Sequence, residues 1–505
     1  MATDGKNGTQ SPYDTYQTCL TARYCSPEMA RLFSQRSRHS QWRRLWLLLA
    51  ESEKELGIDV ISSEALEQMK QHLEVTDQDF EVARAEEKIR RHDVMAHVHA
   101  FGMAAPAAAG IIHYGATSCF VTDNAELILM RDALDLLLPK LAKVVSNLCK
   151  LAMEWKKTPT LAYTHLQPAQ LITGIPTARL RFGCVGKRAA QWAQDLVFDL
   201  ESIEHVRNGL LLRGAQGTTG TQASFLEIFN NDGSKCDELN GLLCKKTGFP
   251  ACYQVSTQTY TRKVDLLVAN AVCGLGATAQ KIAGDIRHLA SWQEAEEPFE
   301  ATQVGSSAMA FKRNPMRSER ISSLARELVS KQATTANTLA AQWMERSLDD
   351  SAVRRIDLPE MFLLADAIIG GLDNVTDGMV IYPQVIASRV QEQLPFIITE
   401  TIIMRLVAKG ASRQEAHEEI RLLSHQAARV VKCEGKPNDL VDRIRATKYF
   451  QPIWAELDDM LKPDLYIGRS VAIVERYCGP EGTAEKKVQP YRAVFEKSST
   501  TELNV

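Results

Sequence analysis

Residues Gly305 to Arg320 read GSSAMAFKRNPMRSER, which places the amides and hydroxyls of Gly305, Ser306 and Ser307 close in sequence to Lys312, Arg313, Arg317 and Arg320. The stretch is too polar for a core and too unrepetitive for a linker. It suits a flexible loop closing over an anionic ligand such as a carboxylate or phosphate; a solvated loop capping a helix would use the same charges. His165, within YTHLQPAQ (Tyr163 to Gln170), has polar neighbours of the kind that fix the tautomer of a general acid or base. Further polar islands are RHDVMAHVH (Arg91 to His99), RGAQGTTGTQASF (Arg213 to Phe225) and ERSLDDSAVRR (Glu345 to Arg355), the last adding Arg346, Arg354 and Arg355. His92, His97 and His99 invite a metal reading, but His92 and His97 are five apart, off the i, i+4 spacing of a helical metal pair, and no acidic third ligand suggests itself. No metal is expected. The glycines of GAQGTTG do not fit GxGxxG, and GCVGKR near Gly183 lacks the full GxxxxGK[ST]. A bound nucleotide would have to be held by side chains and helix ends.

The elements that must position these residues are helical. Leu127, Leu134, Leu138, Leu141, Val145, Leu148 and Leu151 recur at helical steps between Glu126 and Met153, with Asp123 and Glu126 as a capping box and a kink at Pro139. A second pattern runs from about Thr261 through Ile282, Ile286 and Leu289, and a third from Ser318 through Leu324, Leu328 and Leu339. No alternating run bounded by hairpin turns stands out. Helices of about 25 to 35 residues would be about 40 to 50 Å long, more than one small domain can cover, so neighbouring subunits are expected to cover them. The layout is an N-terminal tail over 1–20, a helical part over 21–117, a long-helix middle over 118–381 and a helical C-terminal part over 382–505, after Tyr382-Pro383.

With 505 residues, 45% hydrophobic and 24% charged, the chain has an ordinary globular composition. Its 59 Lys plus Arg against 62 Asp plus Glu, net -3, leave no overall footprint for nucleic acid or an anionic membrane. Eleven cysteines without a CxxC pair point to free thiols in a reducing compartment. The first twenty residues lack an apolar or Arg-rich targeting pattern and the apolar stretch Leu266 to Ala279 is broken by Asn270 and Gly274, so a cytoplasmic location is expected.

GSSAMAFKRNP resembles the signature loop GSSxMPxKxNP of the fumarase/aspartase superfamily of lyases. SPEM at Ser26 to Met29, RHDVMAHVH, GATSC at Gly115 to Cys119, THLQPAQ, GTTGTQASF, QTYTRKVD at Gln258 to Asp265, KRNPMRSER and RSLDDSAVRR are similar, in order, to the animal-type adenylosuccinate lyase family within it. The likeness spans about residues 20 to 470. It implies an all-α, three-domain subunit whose central long-helix bundle forms the core of a homotetramer, with active sites built from three chains and no cofactor. It also implies two small-molecule substrates: adenylosuccinate, giving AMP, and succinylaminoimidazole carboxamide ribotide (SAICAR), giving AICAR, each with release of fumarate.

By that resemblance Ser306 is the general base, His165 the general acid, Glu319 the group that orients His165, Lys312 and Asn314 bind the succinyl portion, and Arg320 in the same motif is also a substrate-binding position. Arg23, Tyr24, Arg346, Ser351 and Arg355 match nucleotide and phosphate positions, where planar guanidinium forks suit oxyanions. Arg91, His92, Asp93, Thr117, Ser118, Thr164 and Gln258 match positions around the succinyl group and base. An unperturbed serine hydroxyl is far too weak an acid to be ionised near neutrality, so a cationic, N–H-rich loop is needed to lower that cost.

Two departures stand out. Ala310 occupies the signature's proline position, freeing one φ angle. GIPTARLRFGC, Gly174 to Cys184, is inserted relative to the family pattern, either lengthening the following helix or looping out at Gly174-Ile175-Pro176. The rivals are another superfamily lyase such as argininosuccinate lyase, without the phosphate-binding arginines, and a helical scaffold without turnover.

Overall fold

The computed structural model describes residues 14–168, 183–300, 303, 307–499 and 503. The N-terminal helices are short and individually capped: α1 (Pro27–Leu32), α2 (Gln35–Glu55), α3 (Ser63–Gln71), α4 (Asp77–Arg90) and α5 (Asp93–Ala104). Ser26, Ser34, Ser62 and Thr76 each accept a hydrogen bond from a backbone N–H of the first turn, and Asp79 returns the bond to Thr76.

Next comes α6 (Ser118–Glu154), 37 residues long and continuous through Pro139. It begins eight residues earlier than the leucine pattern indicates. Asp123 and Glu126 are therefore not a cap: they lie inside the helix and pair with Arg262 and Arg354. After α6, β1 (Pro159–Thr160) pairs with β4 (Gly183–Cys184), and between them β2 (Tyr163–Thr164) pairs with β3 (Gln167–Pro168). α7 (Val185–Asn208) starts after this excursion, with Cys184 Sγ accepting from the Lys187 N–H. The inserted segment thus precedes α7 and does not extend it; its residues 174–182 lie outside those described. Gly186 lets α7 cross the end of α6, because a Cβ there would stand 2.2 Å from the Ala152 carbonyl oxygen.

Beyond α8 (Ala223–Ile228) and α9 (Gly233–Thr247) come three long helices, α10 (Lys263–Ser291), α11 (Met316–Ala340) and α12 (Asp350–Asp377), with β5 (Ala295–Glu296) paired to β6 (Val380–Ile381). They pack antiparallel in sequence order. Asn270 accepts from Gln332 at 2.8 Å between α10 and α11, and Arg317 at the start of α11 donates to Asn374 near the end of α12. By length and composition α10 could cross a membrane, but Val268, Leu275, Ile282 and Ile286 are buried against its neighbours. One apolar core runs through α2, α6, α7, α10, α11 and α12. A second is formed by α13 (Pro383–Ile397), α14 (Thr399–Ala408), α15 (Arg413–Glu434), α16 (Leu440–Ala446) and α17 (Leu457–Met460). The last helices, α18 (Ser470–Cys478), α19 (Thr483–Val488) and α20 (Arg492–Phe495), return to the first core, burying Val474, Val488 and Phe495. Apolar side chains nonetheless remain exposed along the long helices: Phe198, Leu267, Val329 and Ile356.

His97, one of the three histidines that invited a metal reading, is part of the N-terminal core. It stacks on His39 at 3.9 Å and 10°, edge-on to Trp42 and Phe80. Burial pushes His39 down to about 4 and, with the facing His39 and Arg43, pushes His97 down to about 3. Both are neutral in the fold and gain protons on unfolding. Their contribution is therefore complete above the ordinary imidazole value near 6.5 and falls by about 1.4 kcal/mol per pH unit per ring as pH drops below it. Glu53 and Asp199, pushed up by burial to about 9 and about 7, act in the opposite sense, so the test is a difference: between pH 7.5 and pH 5 His97→Phe is expected to lose less urea resistance than wild type, and an identical pH dependence contradicts the assignment.

Candidate active site

At one end of the long-helix bundle the N-termini of α5, α6 and α12 come together. His92 caps α5, its Nδ1 accepting from the Met95 N–H at 3.4 Å, and its Nε2 lies 3.3 Å from the hydroxyl of Ser118 in the first turn of α6. Thr117 is the N-cap of α6. Arg355, in the first turns of α12, forms a salt bridge with Asp93. Burial would raise the Asp93 carboxyl, but Arg355 outweighs it and holds the group below the usual carboxylate range. Arg346, just before α12, donates to Gln258 Oε1 at 3.2 Å and reaches Cys119 Sγ at the same distance. The Ser351 N–H bonds the Leu348 carbonyl, and Arg91 takes a left-handed φ of 58° at the end of α4. Converging helix N-termini with Arg346 and Arg355 make a setting suited to a phosphate or carboxylate.

Beneath lies a buried charge network. The Arg262 guanidinium sits between Asp123 of α6, at 3.1 Å, and Asp350 of α12, at 2.7 Å. Arg354 bonds Asp265 of α10 at 2.7 Å and Glu126 of α6 at 2.8 Å, and the Tyr260 hydroxyl donates to Asp265 at 2.6 Å. Burial alone would raise Asp123, but Arg262, Arg354 and Arg213 hold it below its ordinary value. Asp350 also accepts from Arg346 at 3.3 Å, joining the network to the site above.

The other candidates lie at the opposite end. Lys312, Asn314, Glu319 and Arg320 belong to the loop before α11 and its first turns. The buried Glu297 carboxylate accepts from the Arg317 and Ser318 N–H groups at 2.8 and 2.9 Å and from the Ser318 hydroxyl at 3.0 Å, so it closes the base of the signature loop. Arg320 lies 5.1 Å from the Tyr24 ring, bringing Arg23 and Tyr24 to this end. Glu319 is exposed and 3.9 Å from Arg287. His165 and Leu166 form the turn between β2 and β3, both left-handed at φ 55° and 54°. A branched leucine there is strained, which marks a turn held by its surroundings. Those surroundings are the Tyr163 ring stacked 4.2 Å from Trp292 at the end of α10, and the Tyr163 hydroxyl accepting from Arg389 at 2.8 Å. Arg389 in turn binds the buried Glu294 at 2.7 Å. His165 and its neighbour Thr164 are exposed. Ser306 lies outside the described residues.

Within one chain the candidates therefore form two groups separated by the length of α11, whose 25 residues span about 37 Å. Sequence reasoning passed over Asp123, Arg262 and Asp350 as structural partners of the site. The available signal was Asp123 itself, a carboxylate in step with Leu127, Leu134 and Leu138 on the buried side of α6. Glu297 gave no comparable signal.

Residues 22–329 match the family described as Lyase, and residues 395–477 match Adenylosuccinate lyase C-terminus. The chain is similar to the adenylosuccinate lyase of Saccharomyces cerevisiae, 51% identical with 98% of this chain and 99% of the relative covered. The chain belongs to the adenylosuccinate lyase family. The adenylosuccinate lyase of Schistosoma mansoni is 48% identical, covering 93% of this chain and 95% of the relative. Among solved structures, the 3-carboxy-cis,cis-muconate lactonizing enzyme of Pseudomonas putida superposes with a TM-score of 0.76 at 21% identity, over 94% of this chain and 100% of that one. The fumarate lyase of Mesorhizobium sp. BNC1 gives 0.75 at 21%, over 90% and 97%. At those identities the likeness extends to the fold, which this adenylosuccinate lyase family member shares.

Replacing Arg262 by Met leaves Asp123 and Asp350 buried without their shared cation, and the unfolding free energy is expected to fall by about 3–5 kcal/mol. Arg346→Leu, which leaves Asp350 its bond to Arg262, should cost less than that. Urea denaturation of the two variants side by side checks this, and equal losses would contradict the division between support and site.

Proposed function

We propose that the chain removes fumarate from adenylosuccinate, giving AMP, and from SAICAR, giving AICAR, as a carbon–nitrogen lyase in purine nucleotide biosynthesis. The carrying observation is 51% identity across nearly the whole of both chains to a relative named for that reaction. Each end of the bundle carries cations suited to one anionic group of such a ligand, Arg346 and Arg355 among helix N-termini at one end, Lys312 and Arg320 at the other, which two chains would bring together.

In this reading Ser306 takes the proton from the carbon beside a succinyl carboxylate, and the electron pair is held as an aci-carboxylate by Lys312, Asn314 and the loop amides. The carbon–nitrogen bond then breaks and His165 protonates the departing nitrogen. Glu297 keeps the loop's exit anchored to α11 while the loop itself closes. Glu319 orients His165, the role the family pattern gives it.

A group separation of about 37 Å exceeds the reach of one such substrate, so each site must draw its two halves from different chains. Exposed Leu267, Val329 and Ile356 on the long helices supply apolar surface for that association, which we assign to a homotetramer. Eleven free cysteines fit a cytoplasmic setting.

Loss of adenylosuccinate absorbance with appearance of fumarate tests the activity, and pure protein at micromolar concentration giving no signal would remove the reading. Ser306→Ala and His165→Ala are each expected to lower kcat at least about 10²-fold. Unfolding and reassociating a mixture of His165→Ala with Arg346→Leu should restore measurable turnover, since some sites receive both intact halves. A mixture as inactive as its components would rule out sharing.

A further inference from the structure

Two cysteines away from the candidate site face each other across the junction of α9 and the segment that follows it. Cys244 in the last turns of α9 and Cys252 have their sulfurs 3.4 Å apart. Cys252 lies on the short segment bonded to Leu212, whose N–H donates to the Ala251 carbonyl while the Tyr253 N–H donates to the Leu212 carbonyl. Cys244 also lines an open concavity of about 470 Å³ shared with Arg131, Arg207, Lys245 and Phe249. Cys244 thus borders a space that a small solute can enter, although the residue itself is buried.

We propose that Cys244 and Cys252 form a reversible disulfide when the protein meets a hydroperoxide, Cys244 reacting first and Cys252 resolving it. In the first step the Cys244 thiolate attacks one peroxide oxygen; the O–O bond breaks, hydroxide or alkoxide leaves, and Cys244 becomes a sulfenic acid. In the second, the Cys252 sulfur attacks that of Cys244; the S–S bond forms, the S–O bond breaks, and the hydroxyl departs with the Cys252 proton as water. Two electrons pass from the sulfurs to the peroxide. The sulfurs must close from 3.4 Å to about 2.05 Å.

The surroundings favour this order. Cys244 is the one of the two that lines the open concavity, and the hydrogen bond to Cys244 together with burial pushes the Cys252 thiol up, opposed by Arg213. Asn240 Oδ1, 3.7 Å from Cys252 Sγ, also accepts from the Ala215 N–H, so the glycine-rich stretch keeps that anchor after oxidation. A second thiol pair, Cys149 with Cys478, provides an internal comparison. Both are as buried as Cys244 and border an open concavity of about 450 Å³ of their own, and Cys149 is pushed far up by its bond to Cys478 and by burial.

Treat the reduced, full-length protein with hydrogen peroxide, block remaining thiols with N-ethylmaleimide and map tryptic peptides. Trypsin cuts at Lys245 and Lys246, between the two cysteines, so the bond joins peptides that otherwise separate. The expected result is a Cys244–Cys252 linkage, lighter by two hydrogens, that disappears with dithiothreitol, with any Cys149–Cys478 linkage followed in the same map. In Cys252→Ser, dimedone should trap sulfenic acid at Cys244. If Cys244 and Cys252 stay free while the exposed Cys19 and Cys433 are consumed, or if Cys244 advances to sulfinic acid without linkage in the intact protein, the proposal is overturned. The wild-type map decides this even if the variant fails to fold.

Discussion

The Arg262 guanidinium, shared between Asp123 and Asp350, is the constraint on which the rest of the architecture leans. Burying three charged groups is expensive, and they repay it only when every donor and acceptor finds its partner. Here the partners come from α6, the start of α10 and α12, so satisfying the charges fixes three long helices in register. A purely apolar contact would let those helices slide; a charge network with defined hydrogen bonds does not. Its consequence is local order at one end of the bundle, where Asp350 passes the register on to Arg346 and, through Arg346, to Gln258.

The opposite end is organised differently. The signature loop is anchored at its base, where Glu297 satisfies two of the otherwise unpaired N–H groups of α11. His165 rides on a two-residue turn whose rigid support is Tyr163 against Trp292 and Arg389. Both the base of the loop and the His165 turn are thus tied to buried or stacked groups at this end of the bundle. A long rigid helix holds the two ends apart. The proposal of sites shared between chains rests on that separation.

Much of this was legible in the residues. The apolar periodicities of α10 and α11 lead to their observed positions within about two residues, because packing on long helices repeats the same pattern over many turns. The start of α6 was not, because Asp123 and Glu126 look like a cap when viewed locally and only reveal their partners in three dimensions. The hairpin carrying His165 was invisible for the opposite reason: strands of two residues have no periodicity to read, and Leu166 is not a usual left-handed turn residue. The catalytic candidates themselves were found through resemblance, since no spacing rule singles out a serine as a base. What chain sequence could not convey was their division between the ends of the bundle, a property of helix direction and not of residue type.

The division of each site between protomers is the central claim, and its most direct test is the dependence of turnover on assembly. Specific activity toward adenylosuccinate should be measured across a dilution series while sedimentation velocity reports the oligomer present at each concentration, with mild urea or substitutions at Leu267 and Val329 used to reach the monomer. Activity per chain is predicted to fall in proportion to the loss of assembled protein and to vanish in folded monomers. A folded monomer that retains full specific activity would show that one chain brings both halves of the site together, and would contradict a site shared between protomers.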